Sequence, residues 1–169
     1  MTRSQALVLI SRIKGEMENI HRLQEELASK GFLPSAGQYQ GKFPFSFEDS
    51  FTLRAIGSVL HDIYVAMENV FEMVARELDE SLPADPYWPL TLLRQMTLDL
   101  PEIRPRVISL ETAQMLDALR SFRHVFRNVY GFNLDSKRLQ LLLEALPQTL
   151  HYFRRDLESF MEKLAATLK

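Results

Sequence analysis

Apolar residues recur every three or four positions over most of this chain, and no segment reads as a convincing strand. The first helix spans roughly residues 3 to 30. Its seam is Ile10, Ile13, Met17, Ile20, Leu23 and Leu27, and Gly31 is a natural C-terminal stop. A loop over residues 32–47 follows, long for a bundle, whose Phe43, Phe45 and Phe47 are expected to pack over a helix end. The second helix reads from Glu48 to Ser81, with a continuous stripe of Leu53, Ile56, Leu60, Ile63, Met67, Val70, Val74 and Leu78. Pro83 and Pro86 end it. Residues 86–96 form a short third helix, with Pro89 tolerable only in its first turn. Pro101 and Pro105 then hold a loop extended.

Ser109 suits the N-cap of a fourth helix that ends near Gly131. Asp135 caps a fifth, along which Leu139, Leu142, Leu146, Leu150, Phe153, Leu157, Phe160, Leu164 and Leu168 keep one phase. Pro147 lies inside that run without breaking it, so a kink is expected rather than a stop. The pattern predicts an all-α, single-domain, up-and-down bundle of about five helices over residues 1–169.

The fourth helix departs from an ordinary amphipathic one. Met115, Leu119, Phe122, Phe126 and Val129 share one arc, and Arg120, Arg123 and Arg127 lie side by side on the next. His124 and Asn128 are one turn apart and continue the polar face, and Tyr130 stands at its border with the apolar arc. Arginines three and four apart repel each other, so a stripe of them does not serve stability. A phosphate-bearing partner would offset the repulsion through bidentate contacts. The bland alternative is a solvated face paired with acids of the second helix.

Charge and composition sharpen this only locally. The net charge of −2 hides a segment from Glu68 to Glu80 with five acids against Arg76, and one from Arg120 to Arg138 with five bases against Asp135. The second allows an anionic ligand. Without cysteine there is no disulfide framework, thiolate zinc site or cysteine nucleophile, which is compatible with the cytoplasm. No apolar run approaches the ~20 residues that span a bilayer, and the N-terminal segment does not read as a signal peptide. His21, His61 and His151 are isolated, so no metal site and no cofactor is expected; Glu68 with Glu72 reads as a solvated or ion-paired face, and Trp88 as a packing anchor.

The order Arg123-His124-Val125-Phe126-Arg127-Asn128-Val129-Tyr130 resembles the signature of HEPN domains, in particular the HepT-like ribonuclease toxins. That signature is an arginine, four residues, a histidine, one residue, then a tyrosine. Arg123 falls on its arginine and Tyr130 on its tyrosine; His124 takes the polar position after the arginine, and Asn128 replaces the histidine. The second helix with Tyr64 and Glu68, the Trp88–Leu93 segment, Ile103-Arg104-Pro105 and Val107-Ile108-Ser109 extend the likeness to about residues 47–160. The resemblance implies a homodimer through the fourth helix, with two motifs facing across a composite cleft. It also implies metal-independent RNA cleavage and a small nucleotidyltransferase antitoxin, which in some pairs adenylylates the motif tyrosine, here Tyr130.

Such cleavage requires a proton taken from the 2′-hydroxyl, one given to the leaving oxygen, and stabilisation of the phosphorane charge. Arg123 and Arg127, with Arg120 beside them, suit the charge requirement. Asn128 cannot carry protons, whereas His124, about 6 Å along the helix, can. Two readings stay open: an endoribonuclease toxin in which His124 replaces the lost imidazole, and a catalytically silent bundle that docks RNA or a nucleotidyltransferase. Both need two cationic helices that meet. Arg123 pinned in intramolecular ion pairs, remote from a subunit contact, would defeat that picture.

Overall fold

The structure, a computed structural model, describes residues 2–33, 49–128, 130 and 133–166. It has five helices: α1 (Arg3–Ser29), α2 (Ser50–Glu77), α3 (Trp88–Gln95), α4 (Leu110–Phe126) and α5 (Ser136–Ala166), with no strand among the described residues. The expected packing of Phe43, Phe45 and Phe47 lies outside the described residues, as do Val129, Gly131 and Leu168.

Helix ends follow local chemistry. Thr2 caps α1 in a reciprocal pair with Gln5. Gly31, at φ 76°, lets the chain turn back so that Gly31 and Phe32 donate to the carbonyls of Ala28 and Leu27. Asp49 caps α2 through the amides of Phe51 and Thr52. α2 stops short of Ser81, four residues earlier than its stripe suggests. The reason is Asp79, which leaves the helical path to meet Arg104 in the interior; the turn is completed by Glu80 at φ 50° and a bond from Ser81 N to Ala75 O. Arg104 is fully satisfied there: it donates to both Asp79 oxygens and to the carbonyls of Gln95, Leu98 and Pro105. The α3–α4 loop is thereby fixed to the end of α2.

Side-chain pairs set the helix directions. Arg12 meets Glu77 and Asn69 donates to Glu16, so α1 and α2 are antiparallel. Glu68 meets Arg123 and Gly57 lies against Phe126, so α2 and α4 are antiparallel. Ser121 accepts from Arg138, and Thr112 donates to Asp156, which reverses α5 again. The four long helices thus run up and down, with α3 laid between α2 and α4. α2 packs against all four others. That is why its buried set spreads beyond one stripe to Gly57, Tyr64, Ala66, Glu68, Phe71, Met73 and Ala75.

α5 runs unbroken through Pro147. Its contact with the start of α4 is polar: Asp156 Oδ2 accepts from Ser109 N and Oγ (both 2.8 Å) and from Thr112 Oγ1 (2.6 Å). Burial pushes the Asp156 carboxyl up, but these bonds and those from Arg155 outweigh it and hold the group below the usual carboxylate range.

Candidate functional site

The stripe of arginines forms one wall of a cleft of about 530 Å3 between α4 and the start of α3. Arg120, Ser121, Arg123, His124 and Arg127 line one side, and Pro86, Tyr87, Trp88, Pro89 and Leu90 the other. α4 presents these side chains because Leu116, Leu119 and Phe122 are buried against α2 and α5, turning the basic arc toward α3. Leu116, rather than Met115, completes the buried arc; Met115 is only half-buried.

The three arginines differ in what they can offer. Arg123 is not a free surface charge: its Nη2 lies 2.8 Å from Glu68 Oε1, with the two side chains 14 % and 5 % exposed. The condition set for defeating the cationic-helix picture is therefore half met, since Arg123 is paired within the chain. It nevertheless reaches the cleft wall. Arg120 is paired to Asp117 on its own helix, with Nε 2.7 Å from Oδ1. Arg127, at the C-cap of α4, is exposed and has no ion pair among the described residues. The alternative of a solvated face paired with acids of the second helix is thus met in part: Arg123 pairs with Glu68 of α2 and Arg127 is open to solvent, whereas Arg120 is tethered to its own helix.

Glu68 and Glu72 are ion-paired, to Arg123 and Arg76, as one of the two expectations had it, but Glu68 lies on the buried face of α2 rather than on a solvated one. Burial pushes its carboxyl above the usual range, and the Arg123 charge only partly counters this. Glu68 Oε2 and Arg123 Nε are buried and make no hydrogen bond among the described residues. Tyr64 is buried one turn before; burial and the charge of Glu68 push its hydroxyl well up, so it stays a neutral phenol.

His124 is exposed on the cleft wall between Arg123 and Arg127. Asn128 is not on that wall. Its side-chain amide donates to the carbonyl of His124 at 2.7 Å, and its backbone amide to Val125 O at 2.9 Å. The tightened turn ends α4 at Phe126, earlier than Gly131. Tyr130 is 75 % exposed, not a core tyrosine. Trp88 packs against the core as expected and also lines the cleft. Tyr87, Ser121 and the Glu68 partner of Arg123 were not singled out for this site from sequence. Glu68 had a signal: it shares the arc of Tyr64, Met67 and Phe71, where a carboxylate requires a buried cation.

A family model described as HepT-like protein matches residues 55–164, well over half of the chain, and spans everything from α2 to α5 that builds the cleft. The chain belongs to the HepT-like family. Its members are HEPN-type, toxin-like proteins, and the family is generally part of toxin–antitoxin systems. No curated protein matches the chain, and no solved structure does. Arg123 and Tyr130, the positions that the sequence resemblance matches to the signature, lie on α4 and just beyond its end. No cluster of potential metal ligands exists among the described residues, and no described helix is long and apolar enough to cross a membrane.

Proposed function

We propose that this protein is the toxin of a HEPN–nucleotidyltransferase pair and a metal-independent endoribonuclease that cleaves RNA in the cytoplasm at the α3–α4 cleft. The observation that carries the reading is the placement of His124 between Arg123 and Arg127, with Arg120 two turns from Arg127, on a single wall. Arg127 and Arg120 supply charge to a phosphate, and Arg123, held by Glu68, adds a fixed donor. His124 is the proton carrier: as a base it takes the 2′-hydroxyl proton, and as an acid it protonates the leaving oxygen.

A homodimer through α4 brings a second copy of these residues to the same phosphate. Leu110, Glu111, Gln114, Ala118 and His124 form an exposed stripe on α4 that neither α2, α3 nor α5 covers, and this is the surface on which two copies meet. The exposure of Tyr130 supports its role in this reading as the AMP acceptor through which a nucleotidyltransferase silences the toxin.

The test is RNA cleavage by the purified protein and by His124→Ala, with a chelator present throughout. Loss of positioned acid–base help lowers the rate by about 10²–10⁴-fold. Full activity in the variant overturns the assignment. The second reading, a silent bundle that binds RNA or a nucleotidyltransferase, is favoured by two observations: the motif position is Asn128 with its amide occupied at the helix end, and Glu68 offsets the charge of Arg123. RNA binding by the wild type with no cleavage, and no growth defect on expression without the partner, selects it.

A further inference from the structure

The wall facing the arginines is aromatic, and nothing in the chemistry of phosphate binding or proton transfer requires that. Tyr87 is 75 % exposed, and its ring makes no hydrogen bond or ring contact among the described residues. Its backbone is nonetheless fixed. Pro86 and Pro89 flank the Tyr87-Trp88 pair, and their rings lock φ. Asp85 Oδ1 accepts from Tyr87 N at 2.8 Å, and Tyr87 O accepts from Leu90 N and Thr91 N at 2.9 and 3.1 Å. Trp88 beside it is half-buried and packed against the core. A large ring held out to solvent on a rigid turn loses little freedom when a flat ligand covers it. The opposite wall carries Arg120 and Arg127, two helical turns apart, or roughly 10 Å by helix rise. The 530 Å3 of this partly open cleft falls within the ~300–1,000 Å3 typical of sites for small ligands.

We propose that this cleft is a one-nucleotide subsite for single-stranded RNA, with an unpaired base stacked against Tyr87 and Trp88 and its flanking phosphates on Arg120 and Arg127. The inference rests on the RNA reading above and adds to it the strandedness of the substrate. Aromatic rings combined with a cationic groove are the general means of holding single strands, because every base has a π-face to offer. In a duplex those faces are covered by neighbouring bases, so a paired strand gains nothing from Tyr87. Stacking is also tolerant of base identity, which predicts weak sequence preference at this position.

Trp88 is the chain's sole tryptophan, so its fluorescence reports on the cleft directly. The full chain is titrated with a 2′-O-methylated single-stranded oligoribonucleotide, which lacks the attacking hydroxyl, with the same sequence as a duplex, and with an abasic oligomer of equal charge. The single strand is expected to quench Trp88 and bind most tightly. Tyr87→Ala weakens that binding roughly 5- to 150-fold, the range seen when a stacking ring is removed, and Tyr87→Phe retains it. Arg127→Gln weakens all three oligomers and reduces the salt dependence. The subsite is overturned if Tyr87→Ala binds as tightly as the wild type, or if the duplex or abasic oligomer binds as well as the single strand. If Arg120→Gln and Arg127→Gln still lose affinity in that case, RNA binding itself survives. If no oligomer binds the wild type, the RNA reading falls and the subsite falls with it.

Discussion

The pair of Glu68 and Arg123 predicts an asymmetric response to mutation. In Arg123→Met the Glu68 carboxylate, 5 % exposed, loses the only cation within salt-bridge distance among the described residues. Removing one partner of a buried pair costs about 3–5 kcal/mol. The carboxyl can take up a proton instead of staying charged, which caps the loss near the lower end, about 3 kcal/mol. For a chain of this size each kcal/mol moves Tm by roughly 2–4 °C, so a fall of about 6–12 °C is expected at neutral pH. Glu68→Gln should behave oppositely. Burial already disfavours the charged carboxyl more than Arg123 favours it, and Arg123 can turn its guanidinium toward the cleft. Removing the negative charge is therefore neutral or mildly stabilising. The pH dependence follows. A carboxyl with a raised folded pKa contributes stability that is fully present below its unfolded pKa and lost as pH rises through the folded one. Arg123→Met raises that folded pKa further, so its deficit shrinks as the solution is acidified. Urea unfolding of the two single variants and the double variant, followed by far-ultraviolet circular dichroism across pH, measures all of this and yields the coupling energy. Equal losses in the two single variants would refute the reasoning, because they would make the pair a net stabiliser. The Glu68→Gln/Arg123→Met protein is also the right background for functional assays, since it removes the arginine without leaving a buried lone charge.

Three further substitutions probe the frame around the cleft. Asp156→Ala removes the acceptor for Ser109 and Thr112 and should cost about 2–4 kcal/mol. Because the Asp156 carboxyl is held below its usual range, that contribution is present above the unfolded pKa and disappears as pH falls through the folded one, so wild-type and variant stabilities should converge in acid. Asp79→Asn leaves the fully buried guanidinium of Arg104 without its anion and should lower stability by about 3–5 kcal/mol in urea titrations. Gly57→Ala places a methyl 2.7 Å from Phe126 Cε2; overpacking there should cost about 1–3 kcal/mol, read as a shifted urea midpoint with an unchanged slope.

The helices were legible because burial in a four-helix arrangement writes itself into a period of 3.6 residues. The stripes of α2 and α5 are buried almost as the pattern places them, and capping residues Ser109 and Asp135 stand where the side-chain bonds form. Helix ends were less legible where a long-range contact overrode the local pattern. α2 stops early because Asp79 turns inward to Arg104, a residue twenty-five positions away, and no periodicity encodes that. α4 stops early because Asn128 satisfies a last-turn carbonyl with its own side chain.

The cleft divides in the same way. A helical wheel shows which residues share a face, so the convergence of Arg120, Arg123, His124 and Arg127 on one wall was readable from spacing alone. The wheel says nothing of what stands opposite, and the Tyr87–Trp88 wall comes from a different helix more than thirty positions earlier. It also counts charges without their partners. The segment around Glu68 reads as a block of acids and the segment around Arg123 as a block of bases, yet the fold sets Glu68 directly against Arg123 and withdraws that pair from solvent. What remains available to an anion is concentrated at the C-terminal end of α4, on Arg127 and exposed His124, with Arg120 partly committed to Asp117. That position is favourable for cations next to the helix dipole, and it lies closest to Tyr130. A ligand drawn by the open charge therefore approaches at the same end as Tyr130; if the proposed function holds, a group added to Tyr130 and an RNA strand on Arg127 would compete for one surface.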